Sequence, residues 1–250
     1  MLHLSNLGLS YTTIHTYLSA ISFVHKLQNN PDPTAAFIVN NTLLGIKNLN
    51  APCINQRLPI TKDILHKLLQ SLPFSTSTPH EHSLWHAIYL LTYHACLRAG
   101  EVTLSKNSSN VIQFSQLILQ RNQWVSIQFN NFKHSQGRTP LLTIRAQPLG
   151  TPCPVVALQQ YLAIRGSNPG QLFQNSDNSP VTIEQFAANL KNAAIMSSLP
   201  HRRYTTHSFR IGKATQMATE GQPEHIIRKA GRWRSKAYQS YIRPDNIPLP

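Results

Sequence analysis

Several residue types that can act on a phosphodiester lie close together in the last third of the chain. In Thr206-His207-Ser208-Phe209-Arg210 an imidazole and a guanidinium are three residues apart, which puts them on one face of a helix. Both can donate to one phosphate, the arginine through two N–H groups at once. Downstream, Gly231-Arg232-Trp233 precedes Tyr238 and Tyr241, again three apart. A free phenol titrates near ~10, so a nucleophilic tyrosine needs cations or a base beside it. Arg228, Lys229, Arg232, Arg234, Lys236 and Arg243 are at hand. Arg98, near the end of an apolar stretch, and Lys133, near a turn signal, stand apart from this group. Together they supply what phosphoryl transfer without a metal requires: a side-chain nucleophile, cations around the non-bridging oxygens, and an acid for the departing oxygen.

Each piece alone has a plainer reading. His207 and Arg210 fit an ordinary helix start with a surface arginine, and a tyrosine pair at helical spacing fits core packing. Arg98 could neutralise the carbonyl end of its helix, and Lys133 could be solvated. The acids narrow the field. There are only nine, with no Asp-x-Asp pair, whereas two-metal phosphoryl transfer needs several carboxylates to hold its ions. His80, His82 and His86 cluster without a fourth ligand, a poor metal site.

These residues sit on elements readable from periodicity. Ile14, Tyr17, Leu18, Ile21 and Val24 recur at three- and four-residue steps behind Ser10, predicting a helix across residues 4–30 that stops at Pro31-Asp32-Pro33. A short helix is expected over 34–49, and 51–59 reads as a linker. Thr61 opens a helix striped with Ile64, Leu65, Leu68 and Leu69. Residues 83–97 are apolar nearly all round, as in a buried central helix, with Gly100 expected as its C-cap. Val125, Ile127 and Phe129, then Leu142 and Ile144, alternate with polar residues around Ser135-Gln136-Gly137, a β-hairpin with Lys133 near its tip. Helices are predicted over 154–165, 182–197, 206–219, 223–230 and 235–243, with Gly231 past the end of the fourth. The class is mainly α with a small antiparallel β-sheet. Residues 1–56 form a small helical domain and 57–250 the main one.

Composition sets the partner. Lys and Arg number 23 against 9 acids, a formal charge of +14 in 250 residues, so a polyanion is expected, nucleic acid before membrane. No apolar run reaches the roughly 18 residues of a membrane span, and the first residues lack the pattern of a secretory signal. Cys53, Cys96 and Cys153 are too scattered for a disulfide framework or a cysteine-rich zinc site.

The order Leu97-Arg98-Ala99-Gly100-Glu101, Lys133, His207-Ser208-Phe209-Arg210, Gly231-Arg232-Trp233, Tyr241 resembles the tyrosine recombinase (phage integrase-like) family, whose pattern is Arg, Lys, His-x-x-Arg, His-or-Trp, Tyr. The runs His207-Ser208-Phe209-Arg210-Ile211-Gly212 and Tyr241-Ile242-Arg243 are most similar to recombinases of eukaryotic mobile elements of the DIRS and Crypton kind. The resemblance spans almost the whole chain. It implies the tyrosine recombinase catalytic fold over 57–250, preceded by the second half of a core-binding domain over 1–56, truncated at its N-terminus. It implies that Tyr241 attacks the scissile phosphate, that Arg98 and Arg210 clamp its oxygens, and that Lys133 protonates the 5′-oxygen. His207 assists proton transfer, Trp233 donates its indole N–H or fixes the tyrosine, and Glu101 orients Arg98.

The product the resemblance implies is a 3′-phosphotyrosyl bond, made without metal, ATP or any cofactor. The implied partners are double-stranded DNA and further copies of the chain, a synaptic tetramer in relatives; nuclear location follows from the eukaryotic resemblance. Lys47, Arg57, Lys62, Arg202, Arg203, Lys213, Lys229, Arg234 and Lys236 are expected to meet DNA phosphates. Two departures bear on activity. The chain ends nine residues after Tyr241, where many relatives carry a further helix that docks on a neighbouring subunit. Trp233 to Tyr241 is eight residues, where relatives often have nine, which keeps Tyr238 as an alternative nucleophile. The rival reading is a DNA-binding protein derived from a mobile element that no longer cuts.

Overall fold

The computed structural model describes residues 1–49, 56–105, 110–129 and 140–244. The chain separates into two compact units, Met1–Gln56 and Arg57–Pro250.

In the first unit, α1 (Leu2–Asn6) and α2 (Tyr11–Leu27) replace the single helix expected, because Ser10 is extended and caps α2 through the Thr13 N–H. α2 stops before the Pro31-Asp32-Pro33 segment, where Asp32 accepts from Ser22 at 2.5 Å and from Thr34. α3 covers Phe37–Leu49. Among the described residues of this unit Ile14 and Ile46 are the buried aliphatics, while Ile21, Val24, Leu27, Phe37 and Ile38 stay exposed.

In the second unit, α4 (Lys62–Ser75) begins where Thr61 accepts from the Ile64 N–H, and α5 (Pro79–His94) where Thr78 accepts from the Glu81 N–H. Nine consecutive-to-alternating positions of α5 between Leu84 and Tyr93 are buried, as its all-round apolar pattern requires. It packs against α4, α7 (Pro154–Arg165) and α9 (Ser208–Thr219). α8 (Ile183–Met196), closed at its start by a Thr182–Gln185 capping box, covers α4. Leu68, Ile88, Tyr89, Leu158, Phe186 and Phe209 belong to the continuous core between them.

Among the described residues the sheet has three antiparallel strands in the order β1 (Leu117–Gln120), β2 (Trp124–Gln128), β3 (Leu141–Arg145). The hairpin partners pair in register, Val125 opposite Ile144 and Ile127 opposite Leu142. β1 was not expected; Leu117-Ile118-Leu119 has no polar alternation to betray a strand. Gly100 is not the C-cap of α5. That helix ends at Ala95, and Gly100 lies inside a separate short helix, α6 (Ala99–Val102). The last expected helix is instead a 3₁₀ segment, Lys236–Tyr241, following α10 (Glu224–Gly231). Among the described residues no helix is long and apolar enough to cross a membrane.

Candidate active site

Four chain segments build the site. The first follows α5. Cys96 takes a left-handed φ of 49° and turns the chain so that Arg98 caps α6. Glu101, three residues on, folds back: Oε2 accepts the Arg98 backbone N–H at 2.8 Å and Oε1 accepts Arg98 Nη1 at 2.9 Å. The pair is anchored because Glu101 is only 5% exposed.

The second segment is the start of α9. Its first turn is pinned to the stretch before α4: Leu58 N–H donates to Arg203 and Ile60 N–H to Ser208. The approach is so close that a Cβ on Gly212 would stand 1.8 Å from the Ile60 carbonyl oxygen. His207 occupies the cap position and Arg210 lies one turn on. Arg210 is 1% exposed, and its guanidinium ties the other segments together. Nη1 donates to the Cys96 carbonyl at 2.6 Å and Nη2 to the Gly231 carbonyl.

The third segment closes α10. Here Arg232, not Gly231, holds the left-handed conformation, φ 55° and ψ 41°. Gly231 is required for space instead: a Cβ there would lie 1.8 Å from Trp233 Cζ3. Trp233 therefore lies flat on its own helix end, and its ring covers Arg210, whose Cζ sits 4.2 Å from the ring centroid.

The fourth segment carries the tyrosines, and the two part company. Tyr238 is buried with Met217 and Ile227 in a second small core. Tyr241 is partly exposed, and its ring centroid lies 4.9 Å from both His207 and Trp233. Arg210 Cζ is 5.5 Å from the Tyr241 ring. Thr215 Oγ1 donates to the Tyr241 carbonyl and accepts from the Arg243 N–H, both at 3.1 Å, so α9 sets the height of the tyrosine.

Arg98, His207, Arg210, Trp233 and Tyr241 are thus brought together. Lys133 lies outside the described residues. Burial first, then Arg210, Arg57, Arg243 and Arg98, push the His207 pKa down to about 4, so the ring is neutral at pH 7. Arg232 is the residue that the sequence reading counted only among nearby cations. Its side chain is 7% exposed and pairs with Glu101 Oε2 at 2.5 Å. The signal available for it was charge balance: a buried arginine must find one of very few acids.

The nine proposed phosphate-binding cations are differently placed. Lys47, Arg57, Arg202, Arg203, Lys229, Arg234 and Lys236 are exposed. Lys62 is exposed and paired with Glu220 at 3.1 Å. Lys213 is half-buried, with Nζ 5.8 Å from the Tyr93 ring centroid. Among the described residues no three His, Cys, Asp or Glu side chains are grouped to hold a metal; His82 and His86 stack, while His80 meets Tyr161 edge-on.

Neither a protein-family model nor a curated protein matches the sequence. Solved structures do match in fold. A XerH site-specific recombinase bound to a palindromic difH substrate, in a post-cleavage complex, superposes with a TM-score of 0.65 at 15% identity, covering 94% of this chain and 63% of that one. The Tn1549 transposon integrase with circular intermediate DNA gives 0.64 at 15%, over 98% and 80%. This is the tyrosine recombinase catalytic fold. A lambda integrase dimer bound to a COC′ core site extends the likeness, with a TM-score of 0.63 at 12% identity over 99% and 63% of the two chains. The chain spans 49% of the XerH chain in its pre-cleavage complex.

Proposed function

We propose that the protein breaks and rejoins DNA through a tyrosyl intermediate, as a site-specific recombinase or integrase. The observation that carries this is the packing of the Tyr241 ring against His207 and over Arg210, with Tyr238 withdrawn into a core. In this reading the Tyr241 oxygen attacks the scissile phosphorus and the bond to the 5′-oxygen breaks. Phosphorus stays on the tyrosine as a 3′-phosphodiester, and a free 5′-hydroxyl leaves. The phenol proton passes to the neutral His207 imidazole, which burial first and the surrounding cations second keep unprotonated. Arg98 and Arg210 meet the negative charge that grows on the non-bridging oxygens. Arg210 is 1% exposed, so the phosphate reaches it once the Tyr241 ring shifts from above the guanidinium. Lys133 is the acid for the 5′-oxygen by family resemblance. Trp233 fixes Arg210 and Tyr241 by packing. Religation reverses the step and conserves the bond energy, so neither ATP nor a cofactor enters.

The exposed cations supply affinity for duplex phosphates that falls with salt. Residues 1–56 are proposed as part of a core-binding domain. Assembly of several copies on DNA, a mobile-element origin of the DIRS or Crypton kind, and nuclear location complete the reading, on the strength of the His207–Gly212 and Tyr241–Arg243 runs. The test uses a pool of nicked duplexes of randomised sequence, which trap the covalent species by letting the cleaved end diffuse away. A protein–DNA adduct surviving SDS is expected from the wild type and from Tyr238→Phe, and none from Tyr241→Phe. DNA binding without an adduct would favour the second reading, a mobile-element-derived DNA-binding protein that no longer cuts.

A further inference from the structure

Glu101 carries more than its helix-capping role requires. Its Oε1 is taken by the Arg98 guanidinium, while Oε2 is shared between the Arg98 backbone N–H and the Arg232 guanidinium. Oε1 accepts from Arg98 Nη1 at 2.9 Å, and Oε2 from Arg232 Nη2 at 2.5 Å. Arg98 is the open member, its side chain 30% exposed, whereas Arg232 is sealed at 7%. Arg232 is further fixed by the Ala95 carbonyl at 3.4 Å and by the Phe129 ring, 4.5 Å from Cζ to centroid. Its neighbours in sequence are Gly231, whose carbonyl receives Arg210, and Trp233, which packs against Tyr241 at a tilt.

We propose that Arg232 is a positioning residue for strand cleavage, which by pairing with Oε2 of Glu101 leaves the Arg98 guanidinium held through Oε1 alone. This rests on the function proposed above. The physical argument is competition for a carboxylate. Arginine and carboxylate prefer a two-point fork. Without Arg232, Oε2 would keep the Arg98 backbone N–H and still have a lone pair for the guanidinium, so Glu101 would take Arg98 in that fork and direct its donors inward. With Oε2 committed to Arg232, Arg98 is oriented by a single side-chain contact, and among the described residues its Nε and Nη2 make no hydrogen bond. Those donors remain for phosphate oxygens. Arg232 also joins the segment bearing Trp233 and Tyr241 to the one bearing Arg98, so seating the nucleophile and aiming the arginine depend on one ion pair.

The test compares wild type, Arg232→Met and Arg232→Lys on a duplex recovered from the randomised pool, once with its natural scissile phosphate and once with a methylphosphonate there. The neutral linkage develops less charge and needs Arg98 less. Arg232→Met is expected to slow adduct formation at saturating DNA by about 10- to 100-fold on phosphate, less than the roughly 100- to 1,000-fold for outright loss of one oriented donor, because Arg98 stays in place and only its aim changes. DNA affinity should stay the same, the deficit should largely vanish on methylphosphonate, and Arg232→Lys should restore part of the rate. An equal deficit on both linkages would mean a merely structural role and overturn the proposal, as would a loss confined to DNA affinity. Guanidinium ¹⁵N NMR of Arg98 without DNA judges the idea separately. Its resonances should shift in Arg232→Met, and in Arg232→Lys to a lesser degree should the methionine variant not fold. Unchanged resonances would refute it even where the wild type makes adduct. No adduct from wild type on any duplex would instead refute the function, with the NMR shift still deciding the role of Arg232.

Discussion

Replacing Gly231 with alanine adds one methyl group where there is no room for it. The added Cβ would meet Trp233 Cζ3 at 1.8 Å, Cε3 at 2.1 Å and Cη2 at 2.3 Å. Carbons pack comfortably at ~3.5–4.0 Å, so the indole must retreat by roughly 1.7 Å. The ring cannot do so alone, because Arg210 lies on it and Tyr241 packs against it. Overpacking of this kind costs about 1–3 kcal/mol. Alanine recovers at most ~1 kcal/mol through its better helix propensity, and less at a helix end. A net loss of about 1–2 kcal/mol lowers the melting temperature by roughly 2–8 °C for a domain of this size. The decisive measurement is a double-mutant cycle. In a Trp233→Ala background the offending ring is gone, and Gly231→Ala should become neutral or stabilising. The coupling should be on the order of 1–3 kcal/mol, the range for residues in direct contact. Thermal unfolding of the four proteins reads it directly. If Gly231→Ala costs the same with and without the indole, glycine is needed there for some reason other than the ring, and this account of how Trp233 is seated is wrong.

Gly212→Ala should be more damaging than Gly231→Ala, because its Cβ would strike the Ile60 backbone at 1.8 Å rather than a movable side chain. A melting-temperature drop no greater than that of Gly231→Ala would count against the pinning of α9. The protein should also be acid-labile. Burial, first of all, lowers His86, His94 and His207 each to about 4, with cationic neighbours adding to it at His94 and His207. Unfolded histidine titrates near ~6.5, so between about pH 6.5 and 4 the unfolded chain binds more protons and stability falls as pH falls. Urea midpoints at pH 7 and pH 5 should show this, and His94→Gln should flatten the difference; an unchanged slope would show that His94 titrates normally.

Much of the framework was legible because its causes are local. Ser10, Thr61 and Thr182 each accept a backbone N–H at a helix start that the sequence marks, whereas Thr78 opens α5 four residues before its apolar run begins. The all-round apolar run of α5 marked the buried helix, and alternation around Val125 and Ile144 marked the hairpin. Readings failed where short pieces depend on neighbours. β1 is defined only by pairing with β2, and α6 exists because Glu101 folds back on Arg98. The segment over Lys236–Tyr241 has helical spacing but winds as a 3₁₀ turn, held from outside by Thr215 through the Tyr241 carbonyl.

By itself, then, the amino-acid order determined which side chains were chemically suited to a phosphodiester and placed His207 and Arg210 on one helical face. That follows from a period of 3.6 residues, which is a property of neighbouring positions alone. Only the tertiary structure decided that Tyr241 rather than Tyr238 faces His207, that Arg210 binds the carbonyls of Cys96 and Gly231, and that Arg232 shares Glu101 with Arg98. Those partners lie more than a hundred residues apart or on separate elements, where periodicity carries no information and the packing of α5, α9 and α10 sets every distance.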